Sequence, residues 1–435
     1  MDNVTIGFVG LGCALLLMAL RVQIGAALGL VSFIGIAAIL NTRAAWGIVT
    51  AVPFNFVGDW NLTAVPMFLL MGYVASSAGL TSGLFQAMRL FLSRLPGGLA
   101  VTSVGACALF AAASGSSVAT ASAMSRIATP EMLRYRYDPG LASGVVAASG
   151  TLGSLIPPSI LMILFGYFAE VSIGKLFIAG FLPGVVSALI YMTMIVTRSV
   201  VTPQIAPPID DNPTAAEKLA ALRDIWPLPL LIGGVLLGIF IGVFTPTEAG
   251  AIGAFLAIVI TALRRQLTWS VLKNAIVHTL SSTAGVFIVV IGTVLLTRFM
   301  ALSGVPDFVA SKLIVLGGSD VLIILMIAVL YVVLGMFVDS IGLMLLTLPI
   351  VLPVVREAGL DLIWFGIIVI KLLEIGLVTP PVGLNVYIIK GALGNLVTLQ
   401  QVFRGVLWFI AMDILALIMI VAFPALSLWL PSIMD

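Results

Sequence analysis

The chain has 435 residues, of which 61% are hydrophobic and only 9% charged. Soluble domains carry roughly 25% charged residues, so this chain cannot cover a water-facing surface and its solvent is lipid. A formal net charge of +2 is too small to point to nucleic acid. The two cysteines, Cys13 and Cys107, lie in apolar runs with no metal-ligand spacing, and packing is expected of them rather than a disulfide.

Taken in chain order, apolar segments at residues 4–20, 22–40, 173–196, 226–243, 248–263, 276–300 and 402–423 approach the ~20 residues that cross a hydrocarbon core. No basic region precedes the first and no small-residue cleavage site follows it, so it is expected to be retained. Residues 81–95 and 306–316 are amphipathic. Arg89 and Arg94, then Asp307 and Lys312, make them too charged to span, so both are expected to lie along the interface. Each is followed by an apolar stretch that turns polar at its middle, first at Ser114, Gly115, Ser116 and Ser117, then from Gly335 to Asp339 and Ser340. The limbs on either side are short for a crossing, which fits a helical hairpin that dips in and returns. Residues 198–224, with prolines and mixed charges, read as a solvated linker.

A diprolyl pair then occurs twice. Gly153-Ser154-Leu155-Ile156-Pro157-Pro158 and Gly376-Leu377-Val378-Thr379-Pro380-Pro381 are offset by 223 residues, and the same offset places Pro130 on Pro353, Asp138 on Asp361 and Ser117 on Ser340. With the N-terminus outside, only Arg43, Lys175, Arg298, Lys312 and Arg356 among the basic residues fall outside, while Lys371 stays within the membrane. That agrees with the positive-inside rule. An odd number of crossings then separates the copies, which makes them an inverted repeat of the kind that permits alternating access.

Proline has no amide hydrogen and clashes with the carbonyl four residues back. The pairs should therefore free the carbonyls of Gly153 and Ser154 and those of Gly376 and Leu377. Ile156 and Thr379 are pushed out of helical geometry. Non-helical backbone at membrane depth survives only where it is buried or lines a wet cavity. Loose carbonyls facing a serine-rich hairpin tip form a cage of hard oxygens with little formal charge, for which sodium is the natural guest. Asp339, an intramembrane acid, is a candidate for ion or substrate binding or a helix cap. Ser114, Ser116 and Ser117 could instead satisfy their own backbone. Thr379 offers carbonyl and hydroxyl together. Asn385 starts a helix or donates to a substrate. Lys371 and Glu374, three apart on one helix, read as a structural pair. Arg126 and Arg298 are possible carboxylate ligands or interface residues, and His278 is a packed polar residue that cannot build a metal site alone. Gly234, Gly238 and Gly242 suggest close helix packing.

The runs ASGSSVATASA (113–123), GTLGSLIPPS (150–159) and EIGLVTPPVGLN (374–385) resemble the large membrane subunit of tripartite ATP-independent periplasmic (TRAP) transporters. The resemblance covers essentially the whole chain. It implies an elevator-type, sodium-coupled importer of organic acids in a bacterial inner membrane. Its partners would be a small four-helix membrane subunit and a periplasmic substrate-binding protein. It also implies ion sites at Ser114, Gly115, Ser116 and Ser117 with Gly150, Thr151, Gly153, Ile156 and Pro157, and at Gly335, Asp339 and Ser340 with Gly376, Val378, Thr379 and Pro380. Ser116, Thr120, Pro158 and Asn385 are the corresponding substrate candidates, and two or more Na+ the coupling ions.

The expected fold is an all-α polytopic membrane protein with two re-entrant hairpins and two broken helices. Its expected parts are N-terminal scaffold helices (1–80), a first repeat (81–172), scaffold helices with the linker (173–300), a second repeat (301–400) and a C-terminal helix (401–435). A stand-alone sodium/anion symporter or an ion channel are the alternatives. The sequence has no H-E-x-x-H, G-x-S-x-G or nucleotide-binding loop to suggest an enzyme or an ATP-driven pump.

Overall fold

The computed structural model describes residues 2–80, 83–208, 213–315 and 320–434, and among them every regular element is helical. A helix satisfies its own backbone within one segment, which hydrocarbon demands. The chain opens with α1 (Asn3–Ala19), α2 (Ile24–Ile39), α3 (Thr42–Val57) and α4 (Ala64–Ser77). The first repeat holds α5 (Leu84–Leu92), the hairpin α6 (Gly98–Ser114) and α7 (Ser117–Arg134), and the broken helix α8 (Pro139–Leu155) and α9 (Ile160–Ala169). Then come α10 (Ile173–Val201), α11 (Ala215–Ile225), α12 (Pro227–Phe240), α13 (Pro246–Leu263) and α14 (Trp269–Ser303). The second repeat holds α15 (Val305–Val315), the hairpin α16 (Asp320–Gly335) and α17 (Ser340–Glu357), and the broken helix α18 (Leu362–Val378) and α19 (Leu384–Leu393). The last elements are α20 (Leu399–Ala422) and the short α21 (Ala425–Leu428).

The 223-residue offset reappears in detail. It carries α7 onto α17 and α8 onto α18 at both ends. Ser116 caps α7 by accepting from the Ala119 amide, and Asp339 caps α17 by accepting from Gly342. Asp138 accepts from the Leu141 amide at 2.9 Å, and Asp361 accepts from Trp364 at 2.8 Å. Such caps satisfy amides that a helix start leaves open. The 17 residues of α6 and 16 of α16 extend only about 25 Å at 1.5 Å each, short of a ~30 Å core, so each hairpin returns. Between the hairpins the chain crosses in α8–α9, α10, α11–α12, α13 and α14, with bends of 40° in the first pair and 52° in the third segment. This odd number of crossings inverts the second copy relative to the first.

Two expectations gain detail. The linker at 198–224 is largely helical where it is described. α10 runs on to Val201, and α11 starts at a capping box in which Thr214 and Glu217 satisfy each other's backbone amides. The glycine series on α12 packs closely within this chain only at Gly238. A Cβ at Gly234 or Gly242 would meet nothing within 4 Å, whereas Gly238 is buried and a Cβ there would lie 2.3 Å from the Phe244 ring. The expected interfacial segments contain α5 and α15, while Thr81 and Leu316 lie outside the described residues. Cys13 and Cys107 are both free thiols, Cys107 buried and Cys13 exposed.

Close backbone approach occurs instead where α20 crosses α8. A Cβ at Gly405 would collide with the Gly140 carbonyl, and one at Gly144 would lie 2.6 Å from the Gly405 carbonyl carbon. Backbone cannot yield as a flexible side chain does. Gly405→Val is therefore expected to destabilise the protein by about 1–3 kcal/mol or more, read as a lower unfolding midpoint in detergent. Gly234→Val should leave the midpoint unchanged, and equal behaviour of the two would contradict this packing.

Candidate functional site

The first hairpin tip is shaped by Gly115. Its φ of +60° is left-handed, and a Cβ there would lie 2.7 Å from the Pro158 carbonyl oxygen, so glycine alone lets the tip touch the helix break. Ser114 Oγ and Thr120 Oγ1 are 2.9 Å apart. Ser117 Oγ donates to the Thr151 carbonyl at 3.2 Å and lies 2.5 Å from Ser154 Oγ. Gly153 packs against the backbone of Ser116, where an added Cβ would lie 2.8 Å from the carbonyl.

Both breaks begin with the same backbone, although the first helix resumes after extended Ser159 and the second one residue later after left-handed Gly383. Ile156 has φ −81° and ψ 121°, and Thr379 has φ −81° and ψ 133°. Each precedes a cis diprolyl bond, Pro157–Pro158 or Pro380–Pro381. The missing proline amides leave the carbonyls of Gly153 and Ser154 without helical partners, as the sequence implied. The second break departs from that expectation. The Thr379 amide is shared between the carbonyls of Ile375 (3.1 Å) and Gly376 (3.2 Å), so the Gly376 oxygen is partly engaged. The Thr379 hydroxyl donates back to Ile375 at 2.5 Å.

At the second tip, a Cβ on Gly335 would lie 3.1 Å from the Gly376 Cα, so tip and break touch here too. Asp339 Oδ2 takes the Gly342 amide at 3.1 Å, which realises its capping role. Ser340 Oγ is buried with no protein partner.

The two tips and two breaks converge. A cavity of about 90 Å³ lies among Gly115, Ser116, Ser117 and Ser154 from the first copy and Asp339, Ser340, Leu377 and Leu384 from the second. A neighbouring cavity of about 570 Å³ shares Ser116 and Asp339. Ser114 and Ser122 line one side of it, and Tyr73 and Ser76 of α4 and Ser282 of α14 line the other. Among the described residues, Asp339 is the only charged side chain lining either cavity. Among the described residues no three His, Cys, Asp or Glu side chains cluster, so the donors here are hydroxyls, carbonyls and one carboxylate.

Other expected site residues line neither cavity. Gly150 packs on Ala121, the Thr151 hydroxyl donates to Ala148 at 2.6 Å, and Val378 is fully buried. Asn385 is buried and donates from Nδ2 to the Ala147 carbonyl of α8 at 3.3 Å, and it lines neither cavity. Arg298 lines a separate open cavity of about 840 Å³ with Asp59 and Glu170. His278 stacks on Tyr73 with ring centres 5.5 Å apart.

Residues 11–426 match the DctM component of tripartite ATP-independent periplasmic transporters. The chain belongs to the DctM family. It is 35% identical over 381 residues to a C4-dicarboxylate TRAP transporter large permease protein of Pseudomonas aeruginosa, covering 87% of this chain and 88% of that one. It is 31% identical over 428 residues to a sialic acid TRAP transporter permease protein of Haemophilus influenzae, covering 97% and 68%. In fold it is similar to the YdaH transporter of Alcanivorax borkumensis, with a TM-score of 0.63 and 13% identity over 89% of this chain and 90% of that one. The chain is thus a multi-pass membrane permease of the TRAP class.

This DctM protein also buries a charge cluster that the sequence showed only in part. Lys371 Nζ lies 3.3 Å from Glu374, the expected pair, and 2.6 Å from Asp413 of α20. Tyr191 of α10 donates to the same Asp413 carboxylate. All four side chains are fully buried, and Glu374 Oε1 and Asp413 Oδ2 have no partner. Asp413 interrupts an apolar span, which was a legible signal. The roles of Ser154, Tyr73, Ser282 and Tyr191 had none, because single hydroxyls in apolar helices are common. Lys371→Met leaves two buried carboxylates unpaired and is expected to destabilise by about 3–5 kcal/mol. Asp413→Asn keeps Lys371 paired with Glu374 and should cost clearly less, as judged by unfolding midpoints of the purified variants.

Proposed function

We propose that this permease imports a small organic acid together with sodium, by an elevator movement of the repeat-containing body against a scaffold. The observation that carries the reading is the meeting of both hairpin tips and both helix breaks at one chamber with a single acid and no cationic lining. Hard oxygen donors suit a small hard cation. Ser340 Oγ, buried without a partner, and the freed carbonyls of Gly153 and Ser154 are ready ligands for it. An anionic cargo finds no arginine or lysine in the chamber walls. Bound sodium would supply the missing positive charge, which makes cargo binding depend on the ion. The starts of α7 and α17 at Ser116 and Asp339 add the positive ends of two helices.

The moving body would contain both repeats together with α10 and α20. Asp413 and Tyr191 tie those two helices to α18, and Gly405 locks α20 onto α8. The scaffold would be α1–α4 and α12–α14, whose α4 and α14 present Tyr73, Ser76 and Ser282 to the chamber. With the N-terminus periplasmic, the larger cavity runs from the tips toward the cytoplasmic half, which is an inward-facing state. The dicarboxylate and sialic acid transporters among its relatives support a carboxylate as cargo. A periplasmic binding protein would deliver it, and a small membrane subunit would accompany the scaffold.

Uptake by proteoliposomes tests the reading, with candidate carboxylates, with and without an inward sodium gradient, and with and without a cognate binding protein. Sodium-dependent flux that rises on adding the binding protein is expected, and flux indifferent to sodium would refute it. Asp339→Asn separates ion binding from capping, because asparagine caps a helix about as well as aspartate. It should shift sodium activation to higher concentration at unchanged stability. An unaltered activation curve would leave Asp339 as a cap alone.

A further inference from the structure

We propose that a pocket between α8, α10 and α20, remote from the transport chamber, binds the phosphate of an anionic phospholipid headgroup. The pocket has a volume of about 270 Å³ and is lined by Asp138, Gly140, Arg198, Gln401, Arg404 and Trp408, among others. Two arginines thus border one concave site at the end of α10 and the start of α20. Arg198 is half-buried, with its guanidinium 4.5 Å from the Trp408 ring centre. That contact holds the fork in place while leaving its N–H donors free. Neither arginine makes an ion pair among the described residues.

The one carboxylate present does not cancel them. Asp138 faces the same pocket, but its Oδ1 is engaged by the Leu141 amide as the cap of α8, and its own amide is tied to the Ile205 carbonyl at 2.9 Å. A single acid against two arginines leaves one positive charge in excess. The Gln401 oxygen accepts from the Thr398 amide and hydroxyl, which leaves its amide nitrogen as a further donor. The donor set is therefore two guanidinium forks and a carboxamide, the chemistry that recognises a phosphate oxyanion.

The surroundings favour a lipid over a soluble phosphate. Trp408 is half exposed, as tryptophans at the boundary of water and hydrocarbon are. On α20, Arg404, Trp408 and Leu415 share one face, and Val200, Val201 and Leu407 beside the pocket are exposed apolar side chains. A headgroup held by the arginines could lay its acyl chains along these residues, which a free anion would leave bare. Basic pockets between membrane helices bind anionic headgroups by the same combination.

Full-length protein, delipidated in neutral detergent, can be titrated in native mass spectrometry with phosphatidylglycerol, with phosphatidylcholine of the same chains, and with inorganic phosphate as competitor. Phosphatidylglycerol should be retained over phosphatidylcholine, and Arg198→Gln with Arg404→Gln should weaken it about thirtyfold. The single change Arg404→Gln, at an exposed position, guards against misfolding of the double variant and should give a partial loss. Equal retention of the two lipids, or binding unaffected by Arg404→Gln, overturns the proposal. Displacement of phosphatidylglycerol by millimolar inorganic phosphate would assign the pocket to a soluble anion and overturn the lipid assignment.

Discussion

A peptide carbonyl at membrane depth has to find a hydrogen, a cation or water, and hydrocarbon offers none of these. The two diprolyl breaks withdraw amide hydrogens from carbonyls in the middle of the bilayer, and the remaining architecture follows from accommodating that. Each hairpin brings a polar tip to its own break, through Gly115 against Pro158 and Gly335 against Gly376. The inversion of the second copy then directs both tip–break pairs to the same chamber. Remove the breaks and neither hairpin has a reason to stop halfway.

The interior is held by two devices at different places. Small residues carry the helix crossings, where Gly405 meets Gly140 and Gly292 meets Gly25 backbone to backbone. Between helices in lipid, such contact substitutes for a hydrophobic driving force that the solvent does not provide. The second device is ionic. Lys371, Glu374, Asp413 and Tyr191 join α18, α20 and α10 at a fully buried point. The first device sets distance, and the second restricts which helices can belong to one body.

Most of the fold was legible in the sequence. The apolar spans, both hairpins and both breaks lie where their composition and the repeat offset place them. Proline chemistry acts locally, so Ile156 and Thr379 adopt the extended geometry expected of them. What failed did so for reasons of tertiary context. The Gly376 carbonyl is partly satisfied because the Thr379 amide also reaches the carbonyl three residues back, one nearer than its α-helical partner. Asn385 stands at the start of α19, one of the two roles expected of it, and is held there by α8 of the other copy, a neighbour that no spacing reveals. Gly234, Gly238 and Gly242 suggested close packing, yet within this chain a Cβ would be crowded only at Gly238. The scaffold hydroxyls Tyr73 and Ser282, 2.7 Å apart, reach the chamber from helices far away in sequence.

The repeat keeps the positions of its caps and the start of each break but not its charges. The offset that superposes the two broken helices sets Ala148 against Lys371 and Thr151 against Glu374. One half therefore has apolar or hydroxyl side chains at the positions where the other has ionisable ones. When halves related by a pseudo-twofold axis trade shapes, identical sequences would give two end states of equal free energy. These halves are unequal, so no symmetry requires two such end states to be equal in free energy, and the inequality includes Lys371 and Glu374, which line neither cavity.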